Sequence, residues 1–213
     1  MSLEPFKRWT GVAAPLLRPN IDTDAIIPSR EMKRVSKVGL SDGLFAGERY
    51  INEGGRLPAP DFVLNKPAYQ GCSIILAGSN FGCGSSREHA VWALKEYGIR
   101  CIVAESFGAI FANNCVRNGL LPVVLELEPI RAISKWVDAD PQAHQVTADL
   151  ESQTVQWGAD SLAFDAEPGA RYMLLNGLDA IALTQTRQEQ IMRFHERRKQ
   201  SRPWLYGEPV PDS

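Results

Sequence analysis

Between residues 72 and 127 short apolar runs alternate with longer amphipathic stretches. CSIILAGS is an unbroken apolar run of strand length, and SSREHAVWALKEYG has helical spacing and stops at Gly98. IRCIVAES is a second apolar run, FGAIFANNCVRNG a second helical stretch ending at Gly119, and LLPVVLEL a third apolar run. A strand with one face in water would show a polar residue at every other position. These runs do not, so they predict strands covered on both faces, joined by right-handed βαβ crossovers into a mostly parallel βαβαβ core.

The flanks have a different rhythm. FKRWTGVAAPLL predicts one initial strand, and RPNIDTDAIIPS a polar turn with a short apolar segment. Pro28 and the charges of SREMKRVSK argue against a long helix there, and residues 36–60 are rich in glycine, which marks loop surface. After Pro129, IRAISKWVDADP predicts a short amphipathic helix. QVTADLESQTVQWGADSLAFDA then alternates as small antiparallel strands do, with turns near Glu151-Ser152 and Gly158. ARYMLLNGLDAIAL and TRQEQIMRFHERRK predict closing helices. The expectation is an α/β fold of one domain over residues 1–200, a parallel core with a small β-rich flank, and a mobile tail over 201–213.

Composition narrows the function classes. The 213 residues carry 23 basic and 25 acidic side chains, a balance that gives no electrostatic case for nucleic acid or an anionic membrane. No apolar run approaches the roughly 20 residues of a membrane span, and Pro5 and Pro15 interrupt any signal-peptide core. Cys72, Cys83, Cys101 and Cys115 are spaced 11, 18 and 14 apart, which suggests neither a zinc nor an iron–sulfur set. Reduced thiols and a cytoplasmic location are expected, with no metal on this chain.

The chemistry concentrates in GSNFGCGSSREHAVWAL at 78–94, where the first core strand meets the first core helix. Ligands of open α/β sheets bind beyond the carboxyl ends of the strands. A helix N-terminus there offers free N–H donors to a carboxylate or phosphate. Gly82, Cys83 and Gly84 form a turn whose backbone can approach an anion, and Arg87 adds a planar two-point donor. Ser85 and Glu88 also fit a capping box, which by itself is a stability device, and His89 suits a packing role. The stretch lacks the GK[ST] ending of a phosphate-binding P-loop, the third glycine of a dinucleotide fingerprint and the G-x-S-x-G elbow. An anion-binding turn explains the paired glycines, paired serines and arginine better than capping alone.

NFGCGSSREHAVWAL closely resembles the signature of the swivelling domain of the aconitase superfamily. NIDTDAIIPS, VSKVGLSDGLF, DFVLNKPAYQG, FANNCVRNGLLPV and MLLNGLDAIALT extend the likeness to the family of bacterial 3-isopropylmalate dehydratase small subunits, from about residue 5 to 195. The resemblance implies a β/β/α three-layer swivelling domain. It also implies half an active site of a hydro-lyase in leucine biosynthesis, with a 4Fe–4S cluster on a separate large subunit and a small dicarboxylic hydroxy acid as substrate. Position by position, it makes Ser85 the general base, Ser86 and Arg87 substrate-binding residues, and Asp24 a member of the active-site network, while Asp22 suits capping. The segment after IIP would recognise the substrate side chain, with Met32 against it and Lys33 or Arg34 near a carboxylate. Glu31 departs from the family's usual aromatic-aliphatic pair, and a carboxylate lines an isopropyl group poorly. Either Glu31 is turned away and paired with Arg30 or Arg34, or the substrate is a smaller diacid such as citraconate or dimethylmalate. A binding module without chemistry is the reading from a different class.

Overall fold

The computed structural model describes residues 3–32, 38–52 and 55–206. The initial apolar stretch is not one strand. It divides at Val12 into β1 (Arg8–Gly11) and β2 (Ala13–Leu16), which belong to different sheets. The chain passes close to its neighbour at the division, since a Cβ on Gly11 would lie 2.0 Å from the Ser73 hydroxyl that Trp9 Nε1 already donates to. The Val12 carbonyl accepts from both Ser73 and Ile74 N–H groups, fixing the crossing point.

After β2 come a one-turn helix α1 (Thr23–Ile26), a 3-10 turn at Ser29–Met32, and a short α2 (Ala46–Arg49). The predicted alternation then follows as β3 (Ile74–Ala77), α3 (Glu88–Tyr97), β4 (Cys101–Ala104), α4 (Ala109–Arg117) and β5 (Leu121–Val124). The parallel sheet has the order β2-β3-β4-β5, every residue of β3 and β4 is buried, and α3 packs on α4. The unbroken apolar runs are therefore the two central strands. Both outer strands contain a proline, Pro15 in β2 and Pro122 in β5, as expected where no neighbour needs the missing N–H.

Helix α5 (Leu127–Ala139) lies across β2, β3 and β4 and buries Ile130, Ile133 and Val137. It starts two residues before Pro129, because a proline in the first turn removes an N–H that has no helical partner anyway. The β-rich flank is an antiparallel sheet ordered β1-β6-β7-β8, with β6 (Val146–Asp149), β7 (Thr154–Trp157) and β8 (Asp160–Ala163). The mixed α/β class with a parallel core and a separate antiparallel sheet thus stands, and β1 is the strand that the sequence reading assigned to no flank.

The first closing stretch is two helices, α6 (Pro168–Asn176) and α7 (Ala180–Gln185), broken where Gly177 takes a φ of +62° and Asp179 caps the next turn. Helix α8 (Gln188–Ser201) buries no residue, and Pro203–Tyr206 form a 3-10 turn behind it. Of the tail expected from 201, residues 207–213 lie outside the described residues.

Candidate active site

Three loops meet beyond the carboxyl ends of β2, β3 and β4, and backbone hydrogen bonds join them. Asn20 N–H donates to the Ser79 carbonyl at 2.8 Å, Gly82 N–H to Ile21 at 2.7 Å, and Thr23 N–H to Cys83 at 3.0 Å. On the other side Phe81 N–H donates to Ser106, and Gly108 N–H donates back to Phe81. Beneath the turn, Phe81 sits edge-on to Phe107 and Phe111, with ring centroids 6.4 and 5.5 Å away. Gly82 has a φ of +72°, and a Cβ there would stand 2.1 Å from the Phe111 ring. Close backbone approach and left-handed geometry together leave only glycine at that position.

The chain then rises out of the fold. Gly84, Ser85 and Ser86 are exposed, and among the described residues neither serine hydroxyl has a hydrogen-bond partner. The expected capping box is not formed. Gly84, at a φ of +87°, turns the chain ahead of the helix, and α3 begins only at Glu88 with extended Arg87 before it. Ser85 uses its backbone carbonyl instead, accepting from Thr23 Oγ1 at 3.3 Å. Glu88 reaches sideways and accepts from Asn118 Nδ2 at 2.7 Å. His89 packs against Trp92, centroids 4.7 Å apart.

Arg87 Nη1 donates to Asp24 Oδ1, and the same oxygen accepts from Ser29 Oγ at 3.0 Å and Ser29 N–H at 3.3 Å. The hydrogen bond from Arg87, then those from Ser29, hold the Asp24 carboxyl below its ordinary range. Asp22 does what its spacing suggested and caps α1, accepting from Ala25 N–H at 2.7 Å. Two aspartates two positions apart thus have separate jobs, one capping the backbone and one on the arginine.

The Ser29–Met32 turn follows. Met32 is half-buried and rests against the core. Glu31 is paired, with Arg30 Nε at 3.6 Å as anticipated, and with Arg56 Nη2 at 2.7 Å, which was not. Lys33 and Arg34 lie outside the described residues. Sequence reasoning also missed Glu96, near the far end of α3, which accepts from the N–H groups of Gly39, Leu40 and Ser41. Burial works to raise that carboxyl, but the three donors outweigh it and hold it below its usual range. Nothing local distinguishes Glu96 from any solvated helix residue, so only a long-range signal would have found it.

An iron–sulfur cluster needs thiolate ligands, and these thiols fit one poorly. Burial pushes Cys72 up to about 12 and raises Cys101 and Cys115 as well, so all three stay protonated. Among the described residues no three His, Cys, Asp or Glu side chains are grouped to hold a metal ion, and no helix is long and apolar enough to cross a membrane. A concavity of about 640 Å³ between α4, α6 and α7, lined by Asn113, Arg117, Tyr172 and Arg187 among others, lies apart from the glycine-serine turn.

Comparison with known proteins places these features. The family model described as the aconitase C-terminal domain matches residues 3–128. A 3-isopropylmalate dehydratase small subunit from Cupriavidus necator is 58% identical over 205 residues, covering 96% of this chain and 99% of that protein. The counterpart from Paramagnetospirillum magneticum is 48% identical, covering 95% and 100%. Among solved structures, 3-isopropylmalate dehydratase from Methanocaldococcus jannaschii superposes with a TM-score of 0.63 at 27% identity, covering 87% of this chain and 99% of that one.

Proposed function

The chain belongs to the aconitase C-terminal domain family, among the 3-isopropylmalate dehydratase small subunits, and on that premise we propose how its exposed turn works. Its activity is that of the small subunit of a hydro-lyase of leucine biosynthesis, which converts 2-isopropylmalate to 3-isopropylmalate by dehydration and rehydration. The carrying observation is that Ser85 and Ser86 stand exposed ahead of α3 with hydroxyls that have no partner among the described residues, beside an Arg87 already oriented by Asp24. Two serine hydroxyls so held contribute nothing to the fold, and an exposed turn suits a site completed by a second body.

Ser85 takes the proton from the substrate carbon next to a carboxylate, and the hydroxyl on the neighbouring carbon leaves, giving the unsaturated diacid. Rehydration runs the same steps backwards with hydroxyl and proton exchanged between the two carbons. A serine hydroxyl is a weak base at neutral pH, so its alkoxide needs stabilisation from preorganised charge. The start of α3 and the guanidinium of Arg87 supply it. Arg87 commits Nη1 to Asp24 and keeps its remaining donors for a substrate carboxylate, with Ser86 beside it. Gly82, Cys83 and Gly84 shape the backbone under that anion.

The family implies an iron–sulfur cluster on a large subunit, and no step assigned to this chain runs through it. The partner is that large subunit, in a heterodimer or heterotetramer, in the cytoplasm. A hydratase for a smaller diacid is the second reading, but the pairing of Glu31 with Arg56 removes the feature that favoured it. Co-production with the large subunit under anaerobic conditions tests both, following absorbance with 2-isopropylmalate and with citraconate. Ser85→Ala should lose turnover by about a thousandfold or more, the range of a missing general base, while assembly and thermal stability are kept. Turnover surviving in Ser85→Ala would overturn the assignment, and activity on citraconate alone would move the substrate.

A further inference from the structure

The Glu31 carboxylate sits in a prepared seat. Its side chain is only 13% exposed, and Gly43 leaves room for it, since a Cβ there would lie 2.7 Å from the Glu31 Cβ. Arg56 closes the seat from a distant part of the glycine-rich segment, with Nη2 on Glu31 at 2.7 Å. It is itself fixed twice over. Nη1 donates to the Asp42 carbonyl at 3.2 Å, and the guanidinium lies 4.9 Å from the Tyr50 ring centroid, while the Tyr50 hydroxyl donates to the same carbonyl. The turn that carries Glu31 is bonded through Ser29 to Asp24, and through Asp24 to Arg87. A charge on this turn therefore borders a site that receives a dianion.

We propose that Arg56 is a specificity-determining positioning residue. It holds the Glu31 charge in the 41–43 turn, away from the substrate's carboxylates and alkyl group, so that a chain with glutamate at this position still admits a branched apolar diacid. The inference rests on the diacid hydro-lyase reading above. An ordinary surface ion pair would contribute little and touch nothing else. Here the loss of Arg56 would leave the carboxylate only its longer contact with the neighbouring Arg30, free to turn toward an incoming dianion.

The test uses the assembled holoenzyme. In Arg56→Met, KM for 2-isopropylmalate should rise on the order of fivefold, the effect of a carboxylate left with only the longer Arg30 contact and facing a dianion at a screened distance, with kcat nearly unchanged. The second substitution in Glu31→Gln/Arg56→Met should return KM to near the wild-type value, and Arg56→Lys should restore part of it. An unchanged KM in Arg56→Met would overturn the proposal. So would a double variant that keeps the defect, since that would make Arg56 merely structural. If the wild type turns over citraconate and not isopropylmalate, the substrate reading fails, and the same KM pattern on citraconate still decides the role of Arg56.

Discussion

Replacing Gly82 by alanine separates two costs that usually come together. At a φ of +72° an L-residue is strained by about 1–2 kcal/mol. The added methyl would also stand 2.1 Å from the Phe111 ring, and Phe111 is 3% exposed and wedged against Phe81 and Phe107. Overpacking a core of this kind costs about 1–3 kcal/mol, so Gly82→Ala should lose about 2–5 kcal/mol. Gly84 supplies the control. Its φ is +87°, but a Cβ there meets nothing nearer than Asp22 Cβ at 3.5 Å, so Gly84→Ala should lose only the conformational part, about 1–2 kcal/mol. With a urea slope of about 2 kcal/mol per molar, the midpoint should fall by about 1–2.5 M for Gly82→Ala and about 0.5–1 M for Gly84→Ala. Fluorescence-monitored urea unfolding of both variants measures the gap. If the two midpoints coincide, the aromatic floor under the turn yields freely, and the argument that it holds the turn in place is refuted.

The remaining predictions concern titration and reactivity. Because the folded Asp24 carboxyl lies below its ordinary 3.8, its charge stabilises the native state above that value and the contribution is lost as pH falls through the lower folded value. Urea midpoints of wild type and Asp24→Asn should therefore differ by a constant amount from about pH 5 upwards and converge as the pH falls below the ordinary 3.8 and through the lower folded value. A gap that widens on acidification would contradict the Arg87 pairing. Among the thiols, Cys72, Cys101 and Cys115 are buried and Cys83 is not, so a thiol reagent should label Cys83 alone in the native chain and all four after unfolding. Two fast-reacting thiols in the native chain would be incompatible with the core described.

What was legible in the sequence follows the range of the interaction involved. The central strands and their helices were readable because continuous burial leaves a local mark, and so were β6 to β8 because their apolar and polar residues alternate. The break at Val12 was not, since the residues that meet it, Ser73 and Ile74, lie far along the chain and leave room only for glycine at position 11. Among the site residues, Asp22 could be assigned from spacing because its partner is three positions away. Ser85 and Glu88 have the spacing of a capping box but not the dihedral angles, and a helix starts where the backbone says. Arg56, Glu96 and Asn118 escaped notice for one reason: each matters through a partner 25 to 57 positions distant, and each looks locally like a solvated polar residue.

The prolines at the two rims of the parallel sheet bear on the life of the chain before it meets its partner. A sheet whose outer strands offer a full row of N–H groups is a template on which a second copy can crystallise strand by strand. Pro15 and Pro122 each strike a donor from those rows. A freshly synthesised copy with its sheet formed and its glycine-serine turn still uncovered therefore makes a poor seed for fibrous growth. It has time to wait in a crowded solution for the one surface it was shaped to meet.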